Sequence, residues 1–147
     1  MAERQRGDVA AMSRSGYSDG CDGWDLIRWR GAVASAIRGK RGQAFLKEML
    51  AALDALPEKK LIAYELEEPN GAVCAIGAVG KARGLNMKSL DPDDRETVAS
   101  VFGIPHALAA EIFFLNDEWS WRNEEPEVRF VRMRKWVEEQ IRAETFT

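Results

Sequence analysis

The sequence predicts an α+β fold that is mainly helical, with five to six helices around one core and one short β-hairpin. Two segments, 43–56 and 127–142, repeat apolar residues at the i, i+3, i+4, i+7 spacing of an amphipathic helix. Between them, the sequence Glu-Glu-Pro-Asn-Gly at 67–71 separates two strand-like runs and predicts a tight turn. The length of 147 residues and the 46% share of hydrophobic residues suit one globular domain.

The first two helices flank a glycine-rich break. Ser18 or Asp22 is placed to cap the first helix, which we expect over residues 24–38. The segment Arg-Gly-Lys-Arg-Gly at 38–42 ends that helix, because two glycines bracket two cations. The second helix follows over 43–56, and a proline stops it.

The predicted hairpin and a helix of small residues come next. The hairpin strands are residues 61–66 and 72–74. The helix that follows ends at Gly84, a C-cap. It contains Gly77 and Gly80, each of which lowers helix propensity by about 1 kcal/mol relative to alanine. We therefore expect another backbone to approach closely at this face.

The C-terminal half is predicted to hold three further helices. The first begins at Ser89 or Asp91, with a proline in its first turn, and ends near Phe102. Gly103 separates it from the next helix, at about 105–115. The last is the second amphipathic segment named above, whose acidic start and basic end suit the helix macrodipole.

Asn116 and Asp117 end the middle helix of these three. Their side chains are expected to bond backbone groups and to fix the turn into the segment with Trp119 and Trp121. The two tryptophans form either an interface patch or simple packing over the core. The helix pair around Gly103 also has helix-turn-helix spacing, but its second helix has no cation for base edges, which favours a packed corner.

Residues 1–20 are polar and aperiodic, and they predict a flexible N-terminal arm ahead of a globular domain over residues 21–147. Met12 is a possible alternative start of translation. Cys21 and Cys74 match no zinc spacing and are too few for a disulfide framework, so we expect reduced thiols, with the second one buried. No signal peptide and no apolar run of roughly 20 residues is present, which predicts a cytoplasmic protein without membrane contact.

The sequence offers no catalytic apparatus. His106 is the only histidine; it stands beside Pro105 at a helix start, with no nucleophile in a recognised setting. The carboxylates cluster at turns and helix starts, where capping explains them, and they form no calcium-loop pattern. We therefore expect no enzyme, no metal site and no cofactor.

Charge is distributed unevenly along the chain. Residues 1–50 carry nine basic and six acidic side chains, whereas 51–100 and 101–147 each carry six basic and nine acidic ones. The basic end suits nucleic acid or an acidic protein. The turn at 38–42 also resembles a phosphate loop, but it follows a helix and lacks the required Ser or Thr, and a solvated turn is the simpler alternative. The candidate contact residues for protein or nucleic acid are Arg28, Arg30, Arg38, Lys40, Arg41, Trp119 and Trp121.

Four stretches resemble a family of small uncharacterised proteins from tailed bacteriophages and prophages: GWDLIRWRGAVASAIRGKRGQAFLKEMLAALDALPEKKLI, GAVCAIGAVGKARG, VASVFGIPHALAAEIFFLNDE and RFVRMRKWVEEQI. The resemblance covers about residues 13–142, and the first stretch is the most distinctive. The sequence from Cys74 to Ala78, with Asn116 and Asp117, also resembles a broader domain of unknown function with a CxxGA helix and a helix that ends in Asn-Asp. Neither resemblance supplies a catalytic residue.

The phage resemblance implies a protein that acts by binding, since small phage proteins without enzyme motifs often bind a host protein. We expect a phage-encoded, non-enzymatic protein that binds and inhibits or remodels a host protein complex in the host cytoplasm, as an anti-CRISPR protein does. The alternative is a nucleic-acid-binding accessory or regulatory protein that uses the basic N-terminal end. An enzyme on a small α+β scaffold is the third hypothesis, to which no residue is assigned.

Overall fold

The computed structural model describes residues 14–17, 23–119 and 123–145, and within these ranges it is mainly helical. Its six α-helices are α1 (Gly23–Arg38), α2 (Lys40–Ala55), α3 (Ala75–Arg83), α4 (Arg95–Phe102), α5 (His106–Asp117) and α6 (Pro126–Thr145), and a short 3₁₀ helix spans Met87–Ser89. All six α-helices lie on segments that the sequence predicted to be helical. The residues of interest outside the described ranges are Ser18, Cys21, Asp22 and Trp121.

Helix α5 is the centre of the core. Ten of its twelve residues are buried, among them Leu108, Ile112 and Phe113. Helices α1, α3, α4 and α6 all pack against it, while α2 packs along α6 and α3. A helix that is apolar on every side is stable only when neighbours cover it on every side. The position of α5 therefore follows from its composition.

Two glycines of α3 permit close packing. A Cβ at Gly77 would collide with the carbonyl oxygen of Leu66, whereas a Cβ at Gly80 would meet the sulfur of Met87. The predicted close approach of another backbone is confirmed at Gly77. At Gly80 the neighbouring atoms belong to side chains instead.

Both glycines that were predicted to end helices do so. Gly84 follows α3 with a φ of 74°, and Gly103 follows α4 with a φ of 75°. These values lie in the left-handed region, which glycine adopts without the steric penalty of a Cβ.

The start of α4 differs from the prediction. The sequence placed it at Ser89 or Asp91, but the helix begins at Arg95. Asp94 is the cap: its carboxylate accepts the backbone N–H of Thr97 at 3.2 Å. The proline expected in the first turn therefore lies in the preceding loop.

Helices α1 and α2 are joined by one residue, Gly39. Helix α2 was expected from Gln43 but starts directly after this glycine. Gly42 makes the tight joint feasible, because a Cβ there would collide with the carbonyl oxygen of Ala36. The side chain of Gln43 donates to the carbonyl of Ile37 at 2.9 Å and so satisfies one of the last carbonyls of α1.

The predicted hairpin is reduced to one antiparallel bridge between Glu67 and Val73, and no strand forms in the described part of the chain. The first predicted strand, 61–66, is bent at Tyr64, whose φ is 71°. A residue in that conformation interrupts the extended backbone that a strand needs.

Side chains from two helices bond the backbone of this bent segment. Arg129 of α6 donates to the carbonyl of Leu61 at 2.9 Å, and Asn116 of α5 donates to the carbonyl of Ile62 at 2.9 Å. Buried backbone groups need partners, but a strand ladder is only one source of them. Here helix side chains are the partners of these two carbonyls, whereas the Ile62 N–H still donates to the carbonyl of Val73 at 3.0 Å.

Candidate functional site

The predicted basic contact residues lie on the outer surfaces of α1 and α2. The stretch 26–47 contains six Lys or Arg residues and no Asp or Glu. The five predicted cations are all exposed: Arg28, Arg30, Arg38, Lys40 and Arg41. No acidic side chain within the stretch offsets their charge.

Three of these cations meet at the α1–α2 joint, and we call Arg38, Lys40 and Arg41 the basic corner. None of the three forms a salt bridge with any residue in the described ranges. Lys40 and Arg41 occupy the first turn of α2, which has no acidic residue. The positive end of the helix macrodipole lies at this turn and favours negative charge. The basic corner therefore lacks the local compensation that a helix start usually has.

Arg28 and Arg30 lie away from the basic corner, since Arg30 is eight positions, or about 12 Å of helix, before Arg38. The guanidinium of Arg30 donates to both carboxylate oxygens of Glu111, at 3.0 and 3.2 Å. These hydrogen bonds outweigh the effect of burial and hold the pKa of Arg30 above its ordinary value. The predicted contact residue Arg30 thus has a structural partner inside the chain.

Apolar side chains accompany the cations on α1. Leu26 is 47% exposed and Ile27 is 63% exposed, and both directly precede Arg28. Scattered apolar residues are normal on protein surfaces, but two adjacent exposed aliphatic residues beside cations make a mixed surface.

Trp119 is 57% exposed. Its ring stands edge-on to Phe114, with 6.3 Å between the ring centroids. Trp119 therefore packs in part on Phe114 and in part faces solvent, and its role in an interface patch stays a prediction. Its predicted partner in a patch, Trp121, is outside the described residues.

The CxxGA and Asn-Asp sequences come together where α3 begins and α5 ends. Asn116 accepts the backbone N–H of Ala75 at 3.1 Å and donates to the carbonyl of Ile62 at 2.9 Å. The Cys74 sulfur accepts the N–H of Gly77 at 3.3 Å and caps α3, and the thiol is buried as expected. The CxxGA and Asn-Asp sequences are thus two sides of one polar cluster.

Asp117 extends this cluster. Its Oδ1 accepts the backbone N–H of Tyr64 at 3.0 Å and the amide of Asn116 at 2.8 Å. The expectation that this carboxylate bonds backbone is confirmed, but the bonded group is at Tyr64 and not in the turn into Trp119. The left-handed φ of a bulky residue is strained, and the bond to a buried carboxylate helps to hold it.

Asp117 is paired with Arg14, a residue that no sequence pattern indicated. Arg14 is fully buried, and its Nε and Nη2 donate to the two carboxylate oxygens of Asp117 at 2.7 and 2.5 Å. Its Nη1 lies 3.6 Å from the Cys74 sulfur, and its guanidinium carbon lies 4.2 Å from the centroid of the Phe113 ring. Burial opposes the charge, but Asp117 and Cys74 outweigh it and hold the pKa of Arg14 above its ordinary value.

Arg14 belongs to residues 14–17, which we call the N-terminal segment. Arg95 donates to the carbonyl of Arg14 at 2.9 Å, and the Ser15 hydroxyl donates to the Glu118 carboxylate at 2.8 Å. The predicted flexible arm thus contains a stretch that is packed against the helices. Residues 1–13 and 18–20 of that arm are outside the described ranges.

Tyr17 anchors the far end of the N-terminal segment. Its hydroxyl donates to Glu111 at 2.8 Å, and its ring packs against Trp29 and Phe114 at centroid distances of 5.6 and 5.0 Å. Burial is the largest cause that raises the pKa of Tyr17, and the Glu111 carboxylate adds to it. No sequence signal pointed to these contacts, because a short polar stretch has no apolar periodicity.

His106 lies in the first turn of α5, as the sequence predicted, and its side chain is exposed. Its Nε2 accepts a hydrogen bond from Arg95 Nε at 2.6 Å. Burial and this neighbouring cation hold the pKa of His106 below its ordinary value. Among the residues that the structure describes, no three His, Cys, Asp or Glu side chains are grouped closely enough to hold a metal ion.

No single helix in the described ranges has both the length and the apolar composition to cross a membrane. Helices α4 and α5 taken together have that length and apolar composition, but the two helices are bent by 111° relative to each other.

A comparison with protein-family models, curated proteins and solved structures finds no match to this chain.

Proposed function

We propose that the chain is a non-enzymatic binding protein that docks on an anionic surface of a partner through its basic corner. One observation carries the proposal: Arg38, Lys40 and Arg41 are exposed at a rigid joint, without a salt bridge to any described residue. The α2 N-terminus adds its own positive potential at the same place. A carboxylate or phosphate of a partner would neutralise both.

The electrostatic contribution to binding would come from the three cations acting together and not from any single ion pair. A single exposed ion pair contributes only about 0.2–1 kcal/mol. Several cations facing one anionic patch mainly raise the association rate and exclude wrongly charged partners. The basic corner therefore suits a role in recognition, with further affinity supplied by apolar contacts.

A protein partner is favoured by the mixed surface of α1. Leu26 and Ile27 expose aliphatic side chains beside Arg28. Burial of aliphatic surface by a partner stabilises a complex by about 25 cal/mol per Å². The phosphate backbone of a nucleic acid is polar and would not bury these side chains in this way. Trp119 is a second exposed apolar group of the kind that interfaces use.

The family resemblance makes the proposal more specific. A phage-encoded protein with this surface would bind and inhibit or remodel a host protein complex, and interference with a CRISPR complex is one form of it. The supporting observations are the motif stretches quoted above and the exposed cations of the stretch 26–47, which contains no Asp or Glu.

The test is capture of host proteins by the tagged full chain and by two matched charge variants. Lys40→Glu/Arg41→Glu reverses two charges at the basic corner, and Lys88→Glu/Lys135→Glu makes the same net change at exposed positions elsewhere. We expect the wild type and the second variant to capture the same host complex and the first to lose it. Capture that is equal for all three proteins would refute the role of the basic corner.

The alternative, nucleic-acid binding, is supported by the absence of acidic residues from 26–47. Phosphate contacts make affinity fall steeply with salt. A fluorescent 30-base-pair DNA and a single-stranded RNA, each titrated at 50 mM and 200 mM NaCl, decide it. Submicromolar, salt-dependent binding that Lys40→Glu/Arg41→Glu abolishes would favour this function over a protein partner.

A further inference from the structure

We infer that the chain contains a built binding site for an arginine-bearing peptide, and that its own N-terminal segment occupies this site as a tethered ligand. The site is the arginine pocket, formed by Asp117, Cys74 and Phe113. The ligand class is an alkylguanidinium followed by a short Ser-Gly-Tyr extension.

The arginine pocket recognises the shape of a guanidinium as well as its charge. Two parallel hydrogen bonds reach the two oxygens of Asp117, at 2.7 and 2.5 Å, and a third N–H points at the Cys74 sulfur at 3.6 Å. The face of the group lies over the Phe113 ring. A planar fork with five donors fits this arrangement, and an ammonium group cannot span it.

The pocket is prepared by residues other than its ligand. Asp117 is held by the Tyr64 N–H at 3.0 Å and by the Asn116 amide at 2.8 Å, and the Cys74 sulfur is fixed by the Gly77 N–H at 3.3 Å. These partners come from α3, α5 and the bent segment. None of them belongs to residues 14–17, so the geometry of the pocket has support that is independent of Arg14.

The rest of the N-terminal segment binds in the manner of a docked peptide. After the arginine anchor, Ser15 and Tyr17 donate hydroxyl hydrogen bonds to Glu118 and Glu111, and both acceptors lie on or directly after α5. Gly16 adopts a φ of 74°, which brings the backbone against the Arg95 guanidinium. Arg95 also holds the carbonyl of Arg14, so the contacts involve main chain and side chain alike.

The first test is chemical rescue of the full chain with Arg14→Ala. The atoms that this substitution removes correspond to N-ethylguanidinium, which is the probe. We expect a lowered melting temperature that rises saturably at millimolar probe, with no rise for ethylammonium and no rise in Arg14→Ala/Asp117→Asn. The wild type, whose pocket is filled, serves as the control for general solvent effects.

Each outcome of the rescue is decisive. If Arg14→Ala is unfolded in buffer, circular dichroism at 222 nm follows it during the same titration, and a saturable return of helix supports the pocket. Failure of the probe to restore stability or helix overturns the inference. An equal effect of ethylammonium also overturns it, because a point charge would then suffice.

The second test concerns recognition of the peptide in trans. The full chain with Arg14→Ala/Ser15→Ala/Tyr17→Ala has lost the contacts of its tethered ligand, and the probe is the labelled peptide Ser-Arg-Ser-Gly-Tyr-Ser. We expect binding by fluorescence anisotropy that is about tenfold or more weaker for the same peptide with lysine at its second position. If this variant does not fold alone, return of its 222 nm signal on peptide addition is the readout. Absence of binding and of refolding, or equal affinity for the lysine peptide, overturns the inference.

Discussion

Alanine at Gly77 and at Gly31 should change stability in opposite directions, although both glycines lie inside helices. Gly77 is in α3, where a Cβ would collide with the carbonyl oxygen of Leu66. Gly31 is in α1, is exposed, and has no neighbouring atom within 4 Å of an added Cβ. Comparison of the two substitutions therefore separates the effect of helix propensity on stability from the effect of packing.

The magnitudes follow from three contributions. Alanine gains about 0.5–1 kcal/mol over glycine in a helix interior, and at Gly31 nothing opposes this gain. At Gly77 the added methyl meets a backbone atom, which cannot move away by rotamer change, and overpacking of this kind costs about 1–3 kcal/mol. The same Leu66 carbonyl accepts the Cys74 N–H at 3.3 Å, so a shift also weakens that bond. We expect Gly77→Ala to lose about 2 kcal/mol net.

Urea unfolding followed by circular dichroism at 222 nm measures both variants against the wild type. In thermal unfolding followed at the same wavelength, Gly77→Ala should lower the melting temperature by about 4–8 °C and Gly31→Ala should raise it by about 1–4 °C. The dependence of the unfolding free energy on urea should be unchanged. A Gly77→Ala protein that is as stable as the wild type would show that α3 does not pack tightly against residues 61–66.

Three further predictions concern the ionised groups. Asp117→Asn leaves a buried arginine without its counter-charge and should lower the unfolding free energy by about 3–5 kcal/mol, measured in urea; a loss below about 1 kcal/mol would mean that the pair is not formed in solution. Hydrogen bonds from Arg132, at 2.8 and 2.7 Å, hold the pKa of Glu124 below its ordinary value of 4.5. The contribution of these bonds to stability is therefore present above pH 4.5 and is lost as the pH falls through the lowered pKa. Glu124→Gln should flatten the acid limb of a plot of melting temperature against pH. An acid limb that the substitution leaves unaltered would contradict this reasoning. Lys40→Glu/Arg41→Glu should raise stability by about 1 kcal/mol, because acids suit the first turn of α2, even as it abolishes capture of the partner; a marked loss of stability would refute the macrodipole argument.

The sequence predicts the helices well because each has its own periodicity or cap. The glycines after α3 and α4 were identified from one residue type each, since few other residues adopt a positive φ. The start of α4 was placed too early because several aspartates in a row can each serve as a cap. Only the packed chain shows that Asp94 is the one used.

The hairpin and the arginine pocket depend on residues far apart in the chain. Residues 61–66 have strand-forming composition, yet the carbonyls of Leu61 and Ile62 accept from the side chains of Arg129 and Asn116 and not from a neighbouring strand. Arg14 pairs with Asp117 across 103 positions, and a single arginine between serines carries no local pattern. Tertiary contacts override local propensity at both places.

The single-residue joint at Gly39 bears on the speed and selectivity of the proposed binding. Because a crossing of backbones at Gly42 and Ala36 fixes the angle between α1 and α2, the three Cα positions of the basic corner keep their spacing before any partner arrives. Association then loses entropy mainly from lysine and arginine side chains, at about 0.5–1.5 kcal/mol for each one immobilised, and little from the main chain. Under the proposed function, such a corner would act as a fixed template that distinguishes anionic surfaces by the distance between their charges.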